Sequence, residues 1–167
     1  MIYPGKELLK NRNSQGGRRM NPAIVTPPSS APCPADCHGH TKLRVHLVDD
    51  NREAVDSLAR WMSMFGYETL VSYSGSDALS AAKDFAPDVM LIDIMLPGMD
   101  GYELAASLRG DTAFKATVFI ACTGLSDQEY QGRRQDARFN LHFAKPVDLD
   151  LLQSVLATLA KKKKTPG

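Results

Sequence analysis

The sequence has few cysteines and no long apolar run. Its three cysteines are an odd number, so a framework of intrachain disulfides is not expected and a reducing cytoplasm is the default location. No stretch approaches the length of a membrane span, and the first residues contain no continuous apolar segment of the kind found in signal peptides. The formal net charge is only +1 at pH 7, which gives no electrostatic reason to expect nucleic acid as a partner.

What the chain does contain is enough apolar sequence for one folded domain. It has 167 residues, of which 43% are hydrophobic and 23% are charged, as in ordinary globular proteins. Six of its ten prolines lie before residue 41, in a basic stretch without apolar periodicity. Such a stretch cannot bury enough surface to become ordered. We therefore expect a disordered arm or linker over 1–41, a folded domain over 42–160 and a basic tail over 161–167.

A cluster of soft metal ligands lies inside the arm, at Cys33, Cys37, His38 and His40. One hypothesis is a small zinc or transition-metal site. The alternative is a chance cluster in a proline-rich segment. The neighbouring prolines and the absence of a second ligand pair favour the alternative.

From Leu43 onward, apolar strand-like segments alternate with segments of helical periodicity. This alternation predicts an α/β fold, a doubly wound, five-stranded parallel sheet with helices on both faces. The predicted strands are Leu43–Val48, Glu68–Ser72, Val89–Asp93, Thr117–Cys122 and Phe139–Ala144. The predicted helices begin near Asn51, Ser74, Tyr102, Ser126 and Asp148.

Local signals mark several helix ends. Asp100 followed by Glu103 predicts a capping box for the third helix, and Gly66 is suited to end the first one. The fourth helix, from Ser126, is polar and contains Gly132. We expect it to be the least stable helix of the domain.

Polar residues follow the strands at their carboxyl ends: Asp49 and Asp50, then Asp93, Thr123 and Lys145. In a parallel sheet these ends share one edge, so the five side chains should meet in one cleft. Crowded carboxylates repel one another unless a cation lies among them, and oxygen ligands without a thiolate favour magnesium. Each residue alone could instead be a helix cap or a turn, but five such residues at strand ends form a specific pattern.

These motifs resemble the receiver domain of two-component (phosphorelay) response regulators. The resemblance covers about Leu43 to Ala160 and is carried by Leu47–Asp50, by Leu91–Gly101, by Thr123-Gly124 and by Lys145–Asp148. It implies a flavodoxin-like sheet with strand order 2-1-3-4-5. The last of these motifs is most similar to receivers of hybrid histidine kinases.

The resemblance also implies a phosphorylation site. Asp93 would accept a phosphoryl group from a phosphohistidine, and Asp50, Asp93 and the backbone carbonyl of Met95 would hold Mg²⁺, with Asp49 helping through water. Thr123 and Lys145 would contact the phosphoryl oxygens, and the Lys145–Pro146 bond would be cis. Such a protein is not an enzyme in the usual sense, but a signalling phosphoacceptor that assists its own phosphorylation and dephosphorylation.

The implied partners are a sensor or hybrid histidine kinase, or a histidine phosphotransfer protein. We expect no effector domain after the last helix. Output should therefore come from a changed protein–protein surface of a stand-alone, cytoplasmic receiver, with no direct nucleic-acid or membrane contact. Two alternatives are a phosphorelay intermediate that passes the group to a histidine phosphotransfer protein, and an interaction module that works without phosphorylation.

Some positions depart from the family pattern. His142 occupies a position that often carries a tyrosine or phenylalanine, and Arg138 one that is commonly glycine. Met95 and Leu125 flank the site without a group that could orient water, so we expect a long-lived phosphorylated form.

Two rival functions of similar folds lack their motifs. A flavin or nucleotide binder needs a Gly/Ser/Thr-rich phosphate loop after the first strand, but residues 49–53 read Asp-Asp-Asn-Arg-Glu. A phosphohydrolase of the haloacid dehalogenase type needs an aspartate two residues after its nucleophile, and Met95 stands at that position.

Overall fold

The computed structural model describes residues 42–124 and 138–164, together with the backbone of a short strand at 23–25. The strands are β1 (Ala23–Val25), β2 (Arg44–Val48), β3 (Glu68–Ser72), β4 (Val89–Asp93), β5 (Val118–Thr123) and β6 (Leu141–Ala144). The helices are α1 (Arg52–Met64), α2 (Gly75–Phe85), α3 (Gly101–Arg109) and α4 (Leu149–Lys164), with a 3-10 turn at Thr112–Phe114. None of the helices described is long and apolar enough to cross a membrane.

The strands form one sheet in the order β1-β3-β2-β4-β5-β6. All neighbours from β3 to β6 pair in parallel. The five strands predicted from the sequence therefore have the predicted order 2-1-3-4-5, and the flavodoxin-like fold is confirmed. Each predicted strand agrees with the observed one to within two residues at either end.

A sixth strand lies where the sequence indicated none. β1 pairs antiparallel with β3, with Ala23 opposite Val71 and Val25 opposite Thr69. At these three residues the expectation of a disordered arm is wrong, because the outer edge of β3 offers backbone groups with which an extended segment can pair. The rest of 1–41, including the Cys33 to His40 cluster, lies outside the described residues.

The sheet is covered on both faces, as predicted. On one face α2 and α3 pack over a cluster that includes Met90, Ile92 and Phe119, and on the other α1 and α4 pack over Leu47 and Leu91. All five of these side chains are at most 3% exposed. Full burial of each such side chain contributes about 1.5–3 kcal/mol, so these two clusters are the main source of stability.

The observed helix ends agree with the local sequence signals. Asp100 and Glu103 form the predicted capping box at the start of α3. Gly66, at φ 83°, directly follows the C-terminal cap of α1. The last helix extends through Lys164, so the first residues of the expected tail are helical. The predicted fourth helix, from Ser126, falls outside the described residues.

Candidate functional site

The parallel register brings the carboxyl ends of β2, β4, β5 and β6 to one edge of the sheet. Val48 pairs with Ile92, Asp93 with Cys122, and Thr123 with Ala144. The residues at or just beyond these pairs are those singled out from the sequence: Asp49, Asp50, Asp93, Thr123 and Lys145. Four of them lie in one cluster, and Thr123 lies beside it at the end of β5.

Three carboxylates form the acidic part of the site. One oxygen from each of Asp49, Asp50 and Asp93 lies within 4.8 Å of the others. The three residues differ in exposure to solvent. Asp93 is buried, with 5% of its surface exposed, Asp49 is intermediate and Asp50 is exposed. The buried carboxylate therefore lies beside two that are nearer to solvent, which suits a cation held at the mouth of the cleft.

The acidic residues are free to serve the cleft because another side chain caps α1. Oδ1 of Asn51 accepts a hydrogen bond from the backbone N–H of Ala54 at 3.2 Å. The alternative reading of Asp49 and Asp50 as caps of this helix is thus wrong. A polar residue one position further along the chain satisfies the helix terminus instead.

Lys145 supplies the positive charge of the cluster. Its ammonium nitrogen lies 2.8 Å from Oδ2 of Asp49 and 2.9 Å from Oδ2 of Asp93. Burial alone would lower the pKa of Lys145, but hydrogen bonds and charge attraction from the two aspartates outweigh it, and the pKa is raised. Lys145 is therefore a cation at any physiological pH.

The two aspartates that bind Lys145 are held in the same way. Oδ1 of Asp49 accepts the backbone N–H of Asn51 at 2.9 Å, and Oδ1 of Asp93 accepts that of Met95 at 3.1 Å. Each carboxylate thus has one oxygen fixed by the backbone two residues onward and the other bound to Lys145. This arrangement orients both carboxylates before any ligand arrives, which lowers the cost of reorganisation in a later reaction.

Close backbone packing supports Asp93 from behind. Gly101, the first residue of α3, donates its N–H to the carbonyl of Ile94 at 3.1 Å. A Cβ at Gly101 would overlap the Asp93 carbonyl oxygen and lie 2.9 Å from Cα of Ile94. Only glycine lets α3 begin so near the end of β4. No role for Gly101 was predicted from the sequence, although a glycine directly after the Asp100 cap is a signal of close approach.

Thr123 and Lys145 are tied through their backbones. The N–H of Lys145 donates to the Thr123 carbonyl at 2.8 Å, and Thr123 is 4% exposed. The Lys145–Pro146 peptide bond is cis, as the family resemblance implied. The backbone hydrogen bond holds Lys145 at the end of β5, and its side chain lies over the acidic cluster.

Cys122 lies one position before Thr123 but is not available to the chemistry of the site as a thiolate. Burial, with a smaller effect of neighbouring charges, raises the pKa of its thiol to about 12. The described donor set at this edge therefore consists of oxygens, which Mg²⁺ prefers over the softer transition metals.

The two residues that depart from the family pattern, His142 and Arg138, lie near each other. His142 belongs to a row of three rings with Phe139 and Tyr102, and Arg138 binds the backbone of Tyr102. The Phe139 ring centroid is 5.6 Å from that of Tyr102 and 5.7 Å from that of His142. Arg138 donates from Nη1 to the Tyr102 carbonyl at 3.1 Å. Since Tyr102 directly follows Gly101, this row joins the start of α3, behind Asp93, to β6.

Comparisons with known proteins agree with this architecture. The family model described as "Response regulator receiver domain" matches residues 45–157. The chain belongs to the response regulator receiver domain family. Its expected relation to two-component regulators is therefore confirmed, and the flavin-binding and dehalogenase alternatives are not supported.

Relatives extend from short receivers to longer regulators. The chain is 35% identical over 121 residues to protein PilH of Pseudomonas aeruginosa, with 70% of this chain and 98% of PilH covered. It is 34% identical over 84 residues to the DNA-binding response regulator MtrA of Mycolicibacterium smegmatis, covering 50% of this chain but only 37% of MtrA. DNA binding is thus a property of a relative that is much longer than the matched part.

Solved structures of receivers are also similar. The receiver domain of Francisella response regulator 1452 matches with a TM-score of 0.65 and 25% identity, over 72% of this chain and 98% of that one. The receiver domain of a signal transduction histidine kinase from Syntrophus aciditrophicus matches with a TM-score of 0.66 and 25% identity, over 74% and 94% of the two chains.

Proposed function

We propose that Asp93 accepts a phosphoryl group from a phosphohistidine of a histidine kinase or histidine phosphotransfer protein. The observation that carries this proposal is the environment of the Asp93 carboxylate: 5% exposed, oriented by the Met95 N–H and by Lys145, and adjacent to two other carboxylates. In the transfer, an Asp93 oxygen forms a bond to phosphorus. The phosphorus–nitrogen bond of the donor breaks, and its electron pair returns to the imidazole.

Mg²⁺ fits the residues that surround Asp93. Asp50 and Asp93 together with the backbone carbonyl of Met95 would hold the ion, and Asp49 would assist through water. Three carboxylates in mutual reach have more negative charge than Lys145 alone balances. When bound, the ion supplies positive charge that neutralises the oxygens of the incoming phosphoryl group.

Lys145 and Thr123 would act on the phosphoryl group after transfer. Lys145 is held as a cation within hydrogen-bond distance of Asp93, so it can exchange its contact with Oδ2 for one with a phosphoryl oxygen. Thr123 offers a hydroxyl donor at the end of the adjacent strand. Both residues belong to the β5–β6 half of the sheet, so their movement would alter the protein–protein surface on that side.

Release of the phosphoryl group should be slow. Hydrolysis needs a water positioned in line with the phosphorus atom. The Met95 side chain, 63% exposed beside the site, is an apolar thioether that cannot orient one. We therefore expect a long-lived phosphorylated form whose decay accelerates in the variant Met95→Asn, which places an amide at this position.

The test is phosphorylation by acetyl phosphate in Mg²⁺, followed by intact-mass measurement. We expect one added phosphoryl group on the unmodified chain and on Asp84→Asn, a matched control at another aspartate, but none on Asp93→Asn or in EDTA. A phosphohistidine donor protein gives the second arm. If neither donor modifies a folded protein that binds Mg²⁺, the chain is an interaction module that works without phosphorylation.

A further inference from the structure

The strand β3 lacks the sequence features that usually prevent an edge strand from pairing with another chain. β3 runs from Glu68 to Ser72 in unbroken register with β2, without a proline or a bulge. Its one charged residue, Glu68, stands at its first position and pairs with Arg44 at 3.4 Å. Natural edge strands usually carry inward charges, prolines or bulges that prevent pairing with another chain. By its own sequence, β3 is therefore open to such pairing.

The opposite edge differs in this respect. β6 has only four residues, Leu141–Ala144, and Lys145 and Pro146 follow it directly. A short strand that ends in a charge and a proline is a poor template for further pairing. Of these two edges, β3 is therefore the one that another strand can pair with unless it is covered.

That edge is the one covered by the arm. β1 lies antiparallel on β3, with Ala23, Ile24 and Val25 opposite Val71, Leu70 and Thr69. In the sequence Pro22 precedes this strand and Pro27 follows it closely, and proline has no N–H to donate to a strand ladder. A three-residue strand makes few ladder hydrogen bonds, and ordering its backbone offsets most of their gain. β1 is consequently held weakly and can be displaced from β3.

The chain length favours pairing of the arm with its own domain. Val25 is opposite Thr69 and Arg44 is opposite Glu68, so the two ends of residues 26–43 lie near the same end of the sheet, about 10 Å apart across two strand spacings. Eighteen residues can span up to about 60 Å. The connection is thus long enough to close without strain, and tethering makes pairing within one chain the favoured event at low protein concentration.

We propose that Ala23–Val25 is an edge strap that occupies β3 and prevents two copies of this chain from pairing through that edge. With the strap displaced, the β3 strands of two copies pair antiparallel about a two-fold axis, since such an axis places identical strands in antiparallel register. The partner recognised by the freed edge is a second copy of this chain. This inference does not depend on phosphorylation of Asp93.

The test uses full-length variants in which proline removes backbone N–H donors from the strap. Only alternate residues of an antiparallel strand bond to a given neighbour, so Ile24→Pro and the double variant Ala23→Pro/Val25→Pro together cover both registers. Ala31→Pro changes the same arm outside β1 and is the matched control. Hydrogen exchange of the β3 amides reports strap pairing, and light scattering over a concentration series reports the oligomeric state.

We expect the unmodified chain and Ala31→Pro to be monomers with slow exchange at Thr69 and Val71. The N–H groups of these two residues face β1, because Glu68 and Ser72 bond on the side of β2. At least one strap variant should exchange these amides about tenfold faster at low concentration and form dimers as the concentration rises. Equal exchange in all four proteins would show that the strap does not pair, and fast exchange without dimers would show that it does not guard the edge. If the unmodified chain is instead a dimer and the strap variants are monomers, the strap of one copy pairs with β3 of the other, and the proposal is wrong.

Discussion

The ammonium nitrogen of Lys145 lies 2.9 Å from Oδ2 of the buried residue Asp93. The same nitrogen reaches Asp49 at 2.8 Å. One side chain from the end of β6 therefore balances part of the charge of two carboxylates from the ends of β4 and β2. The stability of the site in the absence of metal depends on this lysine.

The variant Lys145→Met should be less stable than the unmodified protein in metal-free buffer at pH 7. Removing the ammonium group leaves Asp49 and Asp93 without their cation, and loss of hydrogen bonds to charged groups costs about 1.5–3 kcal/mol. Added Mg²⁺ should restore most of the loss. Urea unfolding in EDTA and in Mg²⁺ measures both effects.

Lys83→Met is the matched control, because Lys83 lies 3.5 Å from Asp111 with 65% and 37% of the two side chains exposed. An exposed pair of this kind contributes little to stability, because solvent screens the two charges. Equal losses in the two variants would contradict a special role of Lys145.

Mg²⁺ should stabilise the folded chain through Asp50. A ligand at one hundred times its dissociation constant adds about 2.7 kcal/mol to the free energy of unfolding. Asp50→Asn should lose most of this gain and leave the contacts of Lys145 intact, since Asp50 is exposed and neither of the lysine's two ion pairs includes it. Thermal unfolding across a Mg²⁺ titration measures the effect, with Asp84→Asn as control. A normal Mg²⁺ response in Asp50→Asn would exclude this residue as a ligand.

Protonation of His46 should destabilise the fold in mild acid. His46 is fully buried in β2, and its Nε2 lies 2.9 Å from Oγ of Ser72. Burial lowers its pKa from 6.5 to about 3, so the unfolded chain binds a proton near pH 6.5 and the folded chain does not. The contribution of neutral His46 is present above pH 6.5 and is lost as the pH falls toward 3, at about 1.4 kcal/mol per pH unit.

The variant His46→Gln removes this titration while keeping a side chain that can bond to Ser72. Between pH 6.5 and pH 5, above the range in which most carboxylates titrate, its free energy of unfolding should fall less steeply than that of the unmodified protein. Chemical unfolding at several pH values gives the two slopes. Parallel slopes would mean that His46 is not the responsible group.

Gly101→Ala should damage both stability and the site. The added Cβ meets backbone atoms of Asp93 and Ile94, which cannot move aside as a flexible side chain can. Overpacking of this kind costs about 1–3 kcal/mol, and relief requires a shift of Asp93 that should weaken Mg²⁺ binding. Unfolding and Mg²⁺ titration together test the claim.

Gly110→Ala is the control for replacing a glycine by alanine at a position without close backbone packing. Gly110 follows α3 at φ −70°, and a Cβ there would be 3.5 Å from its nearest neighbour. We expect it to be neutral or slightly stabilising, by up to about 1 kcal/mol. A loss as large as that of Gly101→Ala would remove the argument from close packing.

The alternation of strands and helices and the candidate site residues were predictable from the amino-acid sequence, and the family resemblance supplied the strand order. Periodicity and capping are local properties, so the capping box of Asp100 and Glu103 and the position of Asp93 at the end of a buried strand can be read without a structure. The rule that parallel strands end on one edge then predicts which polar residues meet.

The arrangement of these residues is visible only in the folded structure. It shows that Asn51 rather than Asp49 or Asp50 caps α1, that Lys145 bridges two carboxylates whose other oxygens bond to backbone amides, and that α3 starts against the carbonyl of Asp93. It also adds the pairing of β1 with β3. These features depend on register and on distances between segments far apart in the chain, and no local pattern of apolar and polar residues encodes them.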